Sequence, residues 1–275
     1  TISLALHGII ECANKRGKGG APVVDIHCHI LPGLDDGAGA VYDTLAMADL
    51  AARSGTRTIV ATPHCNIPGV YENYLGEEYW QAFSLAQEAI RQEGIPLTLL
   101  PGMEVFATES LPRLIADGKL LGLNRTRNLL VEFEFVEDPD FARHVLARVA
   151  EAGMRPVVAH AERYLFVQDD PQIVFEWQAL GYAVQANKGS FVGRFGSHAA
   201  RTAWRLLDHN LITAIASDAH TPVMRTPYMA DVFDMLAADY PPAYIEHLFF
   251  TNPRRLCRGE DPVTFRAVPF DESAQ

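Results

Sequence analysis

From residue 23 onward the chain alternates between two hydrophobic periods. Short runs rich in β-branched residues read as strands: VVDIHCH (23–29), TRTIVATPH (56–64), LTLLPGMEV (97–105), NLLVEF (128–133), RPVVAH (155–160), YAVQANKG (182–189) and ITAIASDAH (212–220). Between them lie stretches with apolar residues at helical spacing, such as VYDTLAMADLAARSG, EEYWQAFSLAQEAIRQEG, DFARHVLARVAEAG and HAARTAWRLLDHN. Several of these end in Gly or Asn, as helix C-termini commonly do. Regular β/α alternation predicts a parallel sheet. No composition break follows residue 22, so residues 23–275 are expected to form one α/β domain of seven units, one short of the usual barrel. Residues 1–22 place an apolar start before a basic KRGKGG stretch. That order is the reverse of a secretory signal, and a flexible extension is expected there.

The ends of the strands carry the chemistry. Side chains alternate along a strand, so Asp25, His27 and His29 share one face. Asp36 follows in the next loop, with Asp35 an equal candidate by spacing. The second strand ends in His64, the third in Glu104, the fourth in Glu132, the fifth in His160, and the seventh in Asp218 and His220. Glu134 competes with Glu132 by alternation. Five of the ten histidines fall at strand ends, whereas His7, His144, His198, His209 and His247 fall in the extension or in helical stretches. In an α/β barrel the site lies at the C-terminal ends of the strands, so this sorting points to a metal centre. Five imidazoles and four carboxylates without a thiolate suit Mn, Fe or Zn in a catalytic setting. Nine side chains are too many for one ion and could serve two or three with a bridging carboxylate. Asp25, one layer deeper, is expected to orient an imidazole.

Composition narrows the partners. With 48% hydrophobic and 21% charged residues the chain is ordinary globular material. A net charge of −11 argues against nucleic acid, and no apolar stretch is long enough to insert in a membrane. Cysteines at 12, 28, 65 and 257 form no framework, which points to free thiols in a reducing, cytoplasmic compartment. The residues six beyond them are Lys18, Leu34, Tyr71 and Val263, so the Cys-x5-Arg arrangement of cysteine phosphatases is absent.

Taken in order, DIHCHILPGLDDGA, ATPHC, PGMEV, LVEFEF, AHAERY, NKGSFVGRFG and ASDAH resemble the motifs of the bacterial PHP-family (polymerase and histidinol phosphatase) protein-tyrosine phosphatases of capsular and exopolysaccharide synthesis. The resemblance runs from about residue 23 to 256. It implies a distorted (β/α)7 barrel with three divalent ions, Mn2+ being typical, and Fe or Zn remain possible. Carried over, His27, His29, Glu104 and Asp218 would hold one ion. Glu104, Glu132 and His160 would hold a second, and Asp36, His64 and His220 a third. Arg163 and Arg225 match the family's phosphate-clamping arginines, a role that suits the planar guanidinium fork. The resemblance also implies a phosphotyrosine protein substrate, the tyrosine-rich tail of a bacterial tyrosine kinase. The chain departs from the pattern in HAER, where the family usually has His-Pro-Glu-Arg, and at Cys65, where a second His is usual.

Other readings share parts of this pattern. A PHP phosphoesterase acting on histidinol phosphate or a sugar phosphate would use the same metals. An amidohydrolase-type C–N hydrolase also opens with His-x-His, but typically carries a modified Lys after strand four, where this chain has VEFEF. A phosphotyrosine-binding protein without turnover would have no need of nine intact ligands.

Overall fold

The computed structural model describes residues 22–270. The expected extension, residue 22 apart, lies outside the described residues, as does Cys12. The strands appear where the hydrophobic pattern put them, but in nine segments: β1 (Val23–Cys28), β2 (Thr56–Ala61), β3 (His64–Cys65), β4 (Thr98–Pro101), β5 (Glu104–Phe106), β6 (Asn128–Glu132), β7 (Arg155–Val158), β8 (Ala183–Asn187) and β9 (Ala214–Ala216). The second and third expected strands are each broken in two. Pro63 has no N–H to give to a ladder, and its carbonyl instead accepts from Glu104 N–H at 3.1 Å. At the other break, Gly102 N–H donates to the Tyr79 hydroxyl and its carbonyl accepts from that hydroxyl, at 3.0 and 2.9 Å. The lost ladder bonds are therefore replaced.

Every strand pair is parallel, as the β/α alternation predicts. One sheet runs β1-β2-β4 and the other β3-β5-β6-β7-β8-β9. The sheet curls far enough for its first strand to meet the segment after its last. Asp218 N–H donates to the His27 carbonyl and His29 N–H to the Ala219 carbonyl, both at 2.8 Å, across an isolated parallel bridge between Cys28 and Ala219.

The helices bury the stripe their sequence prescribes. Ser197–Asp208 buries Ala199, Thr202, Ala203, Leu206 and Leu207, the spacing of one helical face. Pro139–Glu151 starts on Asp138, whose carboxylate accepts from the N–H groups of Asp140 and Phe141, satisfying donors that the first turn leaves free. Met47, Phe83, Leu146, Val174 and Leu206 from the helices pack with Ile59, Leu129, Val131, Val158 and Ile215 of the sheet. A second cluster gathers Val60, Leu130, Val157, Ala183 and Ala214 with Leu256 and Cys257 near the C-terminus. Leu130 and Ala183 stand two residues before Glu132 and Gln185, hence on the same sheet face. This apolar floor fixes the strands whose ends carry the polar site.

Candidate metal centre

All nine sequence candidates converge at the strand ends, and six of them, Asp36, His64, Glu104, Glu132, His160 and Asp218, line one cavity. The convergent groups are His27, His29 and Asp218; His27, Glu104 and His160; His64, Glu104 and Glu132; and His29, Asp36, His64 and His220, with ligand atoms in each group within 4.8 Å of one another. His64 and Glu104 are register partners across β3 and β5. Asp25, His27, His29, Glu104, Glu132, His160, Asp218 and His220 are buried.

The first two imidazoles show how the chain prepares a cation site. His27 Nδ1 lies 3.0 Å from Gln185 Oε1. Gln185 Oε1 also accepts from His160 N–H at 3.0 Å, and its amide nitrogen donates to Asn187 Oδ1, which fixes the amide orientation. His29 Nδ1 lies 2.7 Å from Asp35 Oδ2. With acceptors on both Nδ1 atoms, the proton of each neutral ring sits on Nδ1 and the lone pair on Nε2. The two Nε2 atoms then face each other at 3.2 Å, an arrangement unfavourable between lone pairs and favourable around a shared cation. Glu104 Oε2, Glu132 Oε1, His64 Nδ1 and His220 Nε2 are buried without a hydrogen-bond partner. They lie against one another nonetheless: His64 Nδ1 is 2.8 Å from Glu132 Oε1, and His29 Nε2 is 3.2 Å from Glu104 Oε2. Buried polar atoms left in this state are costly unless something pairs with them. The donor set therefore fits divalent metal.

The electrostatics point the same way. Burial disfavours charge on His64, yet the Glu104 and Glu132 carboxylates beside it raise it to about 10. Burial, with Glu104 adjacent, pushes the Glu132 carboxyl up. Burial holds His160 down at about 4, which keeps that imidazole neutral and able to ligate. Asp36, near His220 and more open to water, is held at about 2.

The loop after β1 separates the two neighbouring acids. Ala38 N–H donates to the His29 carbonyl at 3.0 Å, folding the loop back on the strand. A Cβ at Gly37 would stand 2.2 Å from that carbonyl, so only glycine permits the approach. The fold-back buries Asp35 against His29 Nδ1 and His64 N–H, and leaves Asp36 Oδ1 3.6 Å from His64 Nε2 and 3.4 Å from His220 Nε2. Asp35 thus orients an imidazole, whereas Asp36 faces the cluster. Asp25 acts otherwise than expected: its Oδ1 accepts from the backbone N–H groups of His27 and Ser217, and Gln185 holds the imidazole instead. Glu134 lies beyond the end of β6; it lines the same cavity but is exposed and joins none of the convergent groups.

Asp218 joins the cluster of acids and histidines to the arginines. Its Oδ1 faces His27 and His29, each at 3.5 Å. Its Oδ2 accepts from Asn187 Nδ2 at 2.6 Å, from Arg163 at 3.2 Å and from Arg225. Asp218 and His160 both have positive φ, 49° and 30°, a conformation costly for residues with a Cβ and typical of functional sites. Arg225 is further set by its carbonyl, which accepts from His220 N–H at 2.9 Å. The Arg163 guanidinium carbon lies 4.3 Å from the Phe135 ring centroid and 4.1 Å from that of Phe195. Arg163, Arg225, Phe135, Ile67 and Phe106 join the acids and histidines around a cavity of about 270 Å³. A larger hollow near Arg127, Arg155 and Asp261 sits at the opposite ends of β6 and β7, away from the convergent ligands.

Gln185 and Asn187 are the functional residues the sequence reading missed. They sit at i and i+2 at the end of β8, the same spacing that drew attention to His27 and His29, on the one expected strand that had offered no candidate. The three described cysteines, Cys28, Cys65 and Cys257, are free and buried, in keeping with the expected free thiols.

Residues 23–258 match the family model described as capsular polysaccharide synthesis, CpsB/CapC. The chain is 35% identical over 247 residues to the tyrosine-protein phosphatase YwqE of Bacillus subtilis, across 90% of this chain and 95% of that protein. It is 28% identical over 239 residues to the tyrosine-protein phosphatase CpsB of Streptococcus pneumoniae, across 85% and 98%. A crystal structure from work on YwqE and CpsB as metal-dependent tyrosine phosphatases superposes with a TM-score of 0.83 at 34% identity, covering 90% of this chain and all of the other. An amidohydrolase from Mycoplasma synoviae superposes with a TM-score of 0.56 at 14% identity over 90% of both chains, a likeness of fold alone.

Two outcomes are expected from these contacts. Gln185→Leu removes the acceptor that fixes His27 and should weaken metal affinity about 10- to 100-fold, measured by competition with a chelating dye. Glu162, fully buried, accepts from Asn187 N–H and Ser190 Oγ, and burial raises its carboxyl to about 7 from 4.5. The folded chain therefore keeps this proton where the unfolded chain has released it. Its contribution to stability is complete below pH 4.5 and is lost as pH rises through 7. Relative to Glu162→Gln, the metal-stripped wild type should lose about 3 kcal/mol across that window, read from denaturant unfolding at both pH limits.

Proposed function

The chain belongs to the CpsB/CapC family of capsular polysaccharide synthesis, and on that premise we propose that it is a metal-dependent protein-tyrosine phosphatase of the non-cysteine type. The observation that carries the reading is the convergence of nine side chains able to ligate metal, six of which line one cavity together with two arginines. The relatives' names support it: YwqE and CpsB are tyrosine-protein phosphatases.

We assign His27, His29, Glu104 and Asp218 to one ion, Glu104, Glu132 and His160 to a second, and Asp36, His64 and His220 to a third, with Mn2+ as the ion. The convergence of these donors and their unpartnered atoms support the assignment. The curled sheet, in this reading, is a seven-stranded barrel formed by residues 23–275, in which β2 with β3, and β4 with β5, each count as one broken strand. The bonds from His29 and Asp218 across the seam support it.

Bound divalent ions supply a nucleophile at neutral pH and offset charge on a phosphoryl group. The residues of the chain do the rest. Arg163 and Arg225 are the catalytic residues: they hold two phosphoryl oxygens and stabilise charge there as the bond to the leaving oxygen lengthens. Asp218 Oδ2 orders both guanidinium groups before substrate arrives, so little reorganisation remains for the reaction. A tyrosyl leaving group, with a phenol pKa of about 10, needs less proton delivery than a serine alkoxide, which favours phosphotyrosine. Free buried thiols fit a cytoplasmic setting, and the partner we assign is the tyrosine-rich tail of a bacterial tyrosine kinase. The observation that would favour the small-phosphomonoester reading, a closed pocket, is not met, since Asp36 and Phe135 at the cavity wall are open to solvent.

Phosphate release from a phosphotyrosine peptide and from histidinol phosphate tests this directly, on metal-stripped protein with and without Mn2+. The peptide should be turned over only with metal, and His160→Ala should lower kcat/KM about hundredfold or more. A preference for histidinol phosphate would move the function to small-molecule metabolism.

A further inference from the structure

Phe135 occupies a position that the metals and arginines leave unexplained. Its ring is 40% exposed although it lines the cavity. Its centroid lies 5.9 Å from that of His160 and 4.3 Å from the Arg163 guanidinium carbon. It thus stands one ring's width from the metal cluster and one from the phosphate clamp. Phe195 also touches Arg163, but it does not line the cavity. A Cβ at Gly189 would meet the Phe195 ring at 2.9 Å, so that ring is folded back against the chain. The two phenylalanines therefore differ in use: Phe195 supports the guanidinium, and Phe135 both supports it and faces the substrate space.

A phosphoryl group held between the arginines and the cluster has its ester oxygen directed away from them. Apart from the exposed carboxylate of Glu134, the remaining cavity wall is apolar: Ile67, Phe106, Phe133 and Phe135. Of these, Phe133 is buried and Phe135 is the most open. Beyond it the apolar surface continues through exposed Val136 and Leu165, and Leu165 N–H donates to the Phe135 carbonyl at 2.8 Å, which holds the two segments together. An aromatic ring on the ester oxygen would lie against Phe135 in offset or edge contact, whereas a serine methylene is too short to cover it.

We propose that Phe135 is the specificity-determining residue that selects aryl over alkyl phosphomonoesters, by stacking on the leaving group's ring beside the Arg163 clamp. This rests on the phosphatase reading above and adds to it the residue that recognises the aromatic group. Selection then has two independent sources: the lower pKa of the phenol, which acts on the chemical step, and ring burial against Phe135, which acts on binding.

The second source is separable with ligands that cannot react. Phenylphosphonate and methylphosphonate present the same anionic head and differ in the ring. Their affinities for Mn2+-loaded protein, measured by calorimetry with metal content checked, give a ratio from which the arginine and metal contributions cancel. Wild type should prefer phenylphosphonate by about tenfold, and Phe135→Ala should reduce that preference by about three- to tenfold. Phe135→Leu, which keeps apolar cover without a ring, should fall between. A general loosening of Arg163 would weaken both ligands alike and leave the ratio unchanged. An unchanged ratio in Phe135→Ala, or no phenyl preference in wild type, overturns the proposal while the phosphatase reading stands. Failure of the metal-loaded wild type to bind either phosphonate would instead count against the phosphatase reading itself.

Discussion

Glu104 and Asp218 are buried carboxylates placed among five imidazoles, and the rest of the site follows from that crowding. Without a cation the arrangement is held by compromise: protons drawn onto His64, an elevated Glu132, and the Nε2 atoms of His27 and His29 crowded to 3.2 Å, with the neighbouring carboxylates raising both imidazoles against burial. Such a cluster collapses or swells unless the surrounding chain fixes it. Gln185 and Asp35 hold the two imidazoles from behind. Asn187 and both arginines hold the far oxygen of Asp218. Positive φ at His160 and Asp218 is tolerated because the strands beneath are anchored in an apolar floor. Stability in the lower half of the sheet is what allows an unfavourable arrangement at its upper rim.

How much of this was legible in the sequence depended on whether a residue's role followed from its own position or from its neighbours. The β/α alternation is a matter of hydrophobic period, and the parallel pairing follows it strand by strand. The sorting of histidines to strand ends is equally local, and the structure brings all nine candidates together. The breaks at Pro63 and Gly102 were harder, because an apolar run does not reveal where a ladder loses its hydrogen bonds. Asp35 and Asp36 are indistinguishable by spacing. What separates them is the fold-back of the loop at Gly37, a backbone approach of 2.2 Å for any added Cβ. Gln185 and Asn187 escaped notice because amides titrate nothing and ligate weakly, although their i, i+2 spacing carried the signal. The rings beside Arg163 come from separate loops, and only the tertiary structure joins them.

The fold is shared more widely than the chemistry. The amidohydrolase from Mycoplasma synoviae has a similar architecture at 14% identity, and fold at that distance says nothing of reaction. Local residues separate the two classes. The fourth expected strand ends here in Glu132 with Glu134 beyond it, and offers no Lys to bridge metals. Arg163 and Arg225 supply two guanidinium groups at the cavity, an arrangement suited to a tetrahedral phosphoryl dianion rather than to a planar amide.

The most direct test of the account is a count of the ions and their places. Crystals of Mn2+-loaded protein, measured at the manganese absorption edge, should give three anomalous peaks: one among His27, His29, Glu104 and Asp218, one among Glu104, Glu132 and His160, and one among Asp36, His64 and His220. Peaks elsewhere, or an active enzyme with a single peak, would contradict the claim that these nine side chains converge to hold three ions.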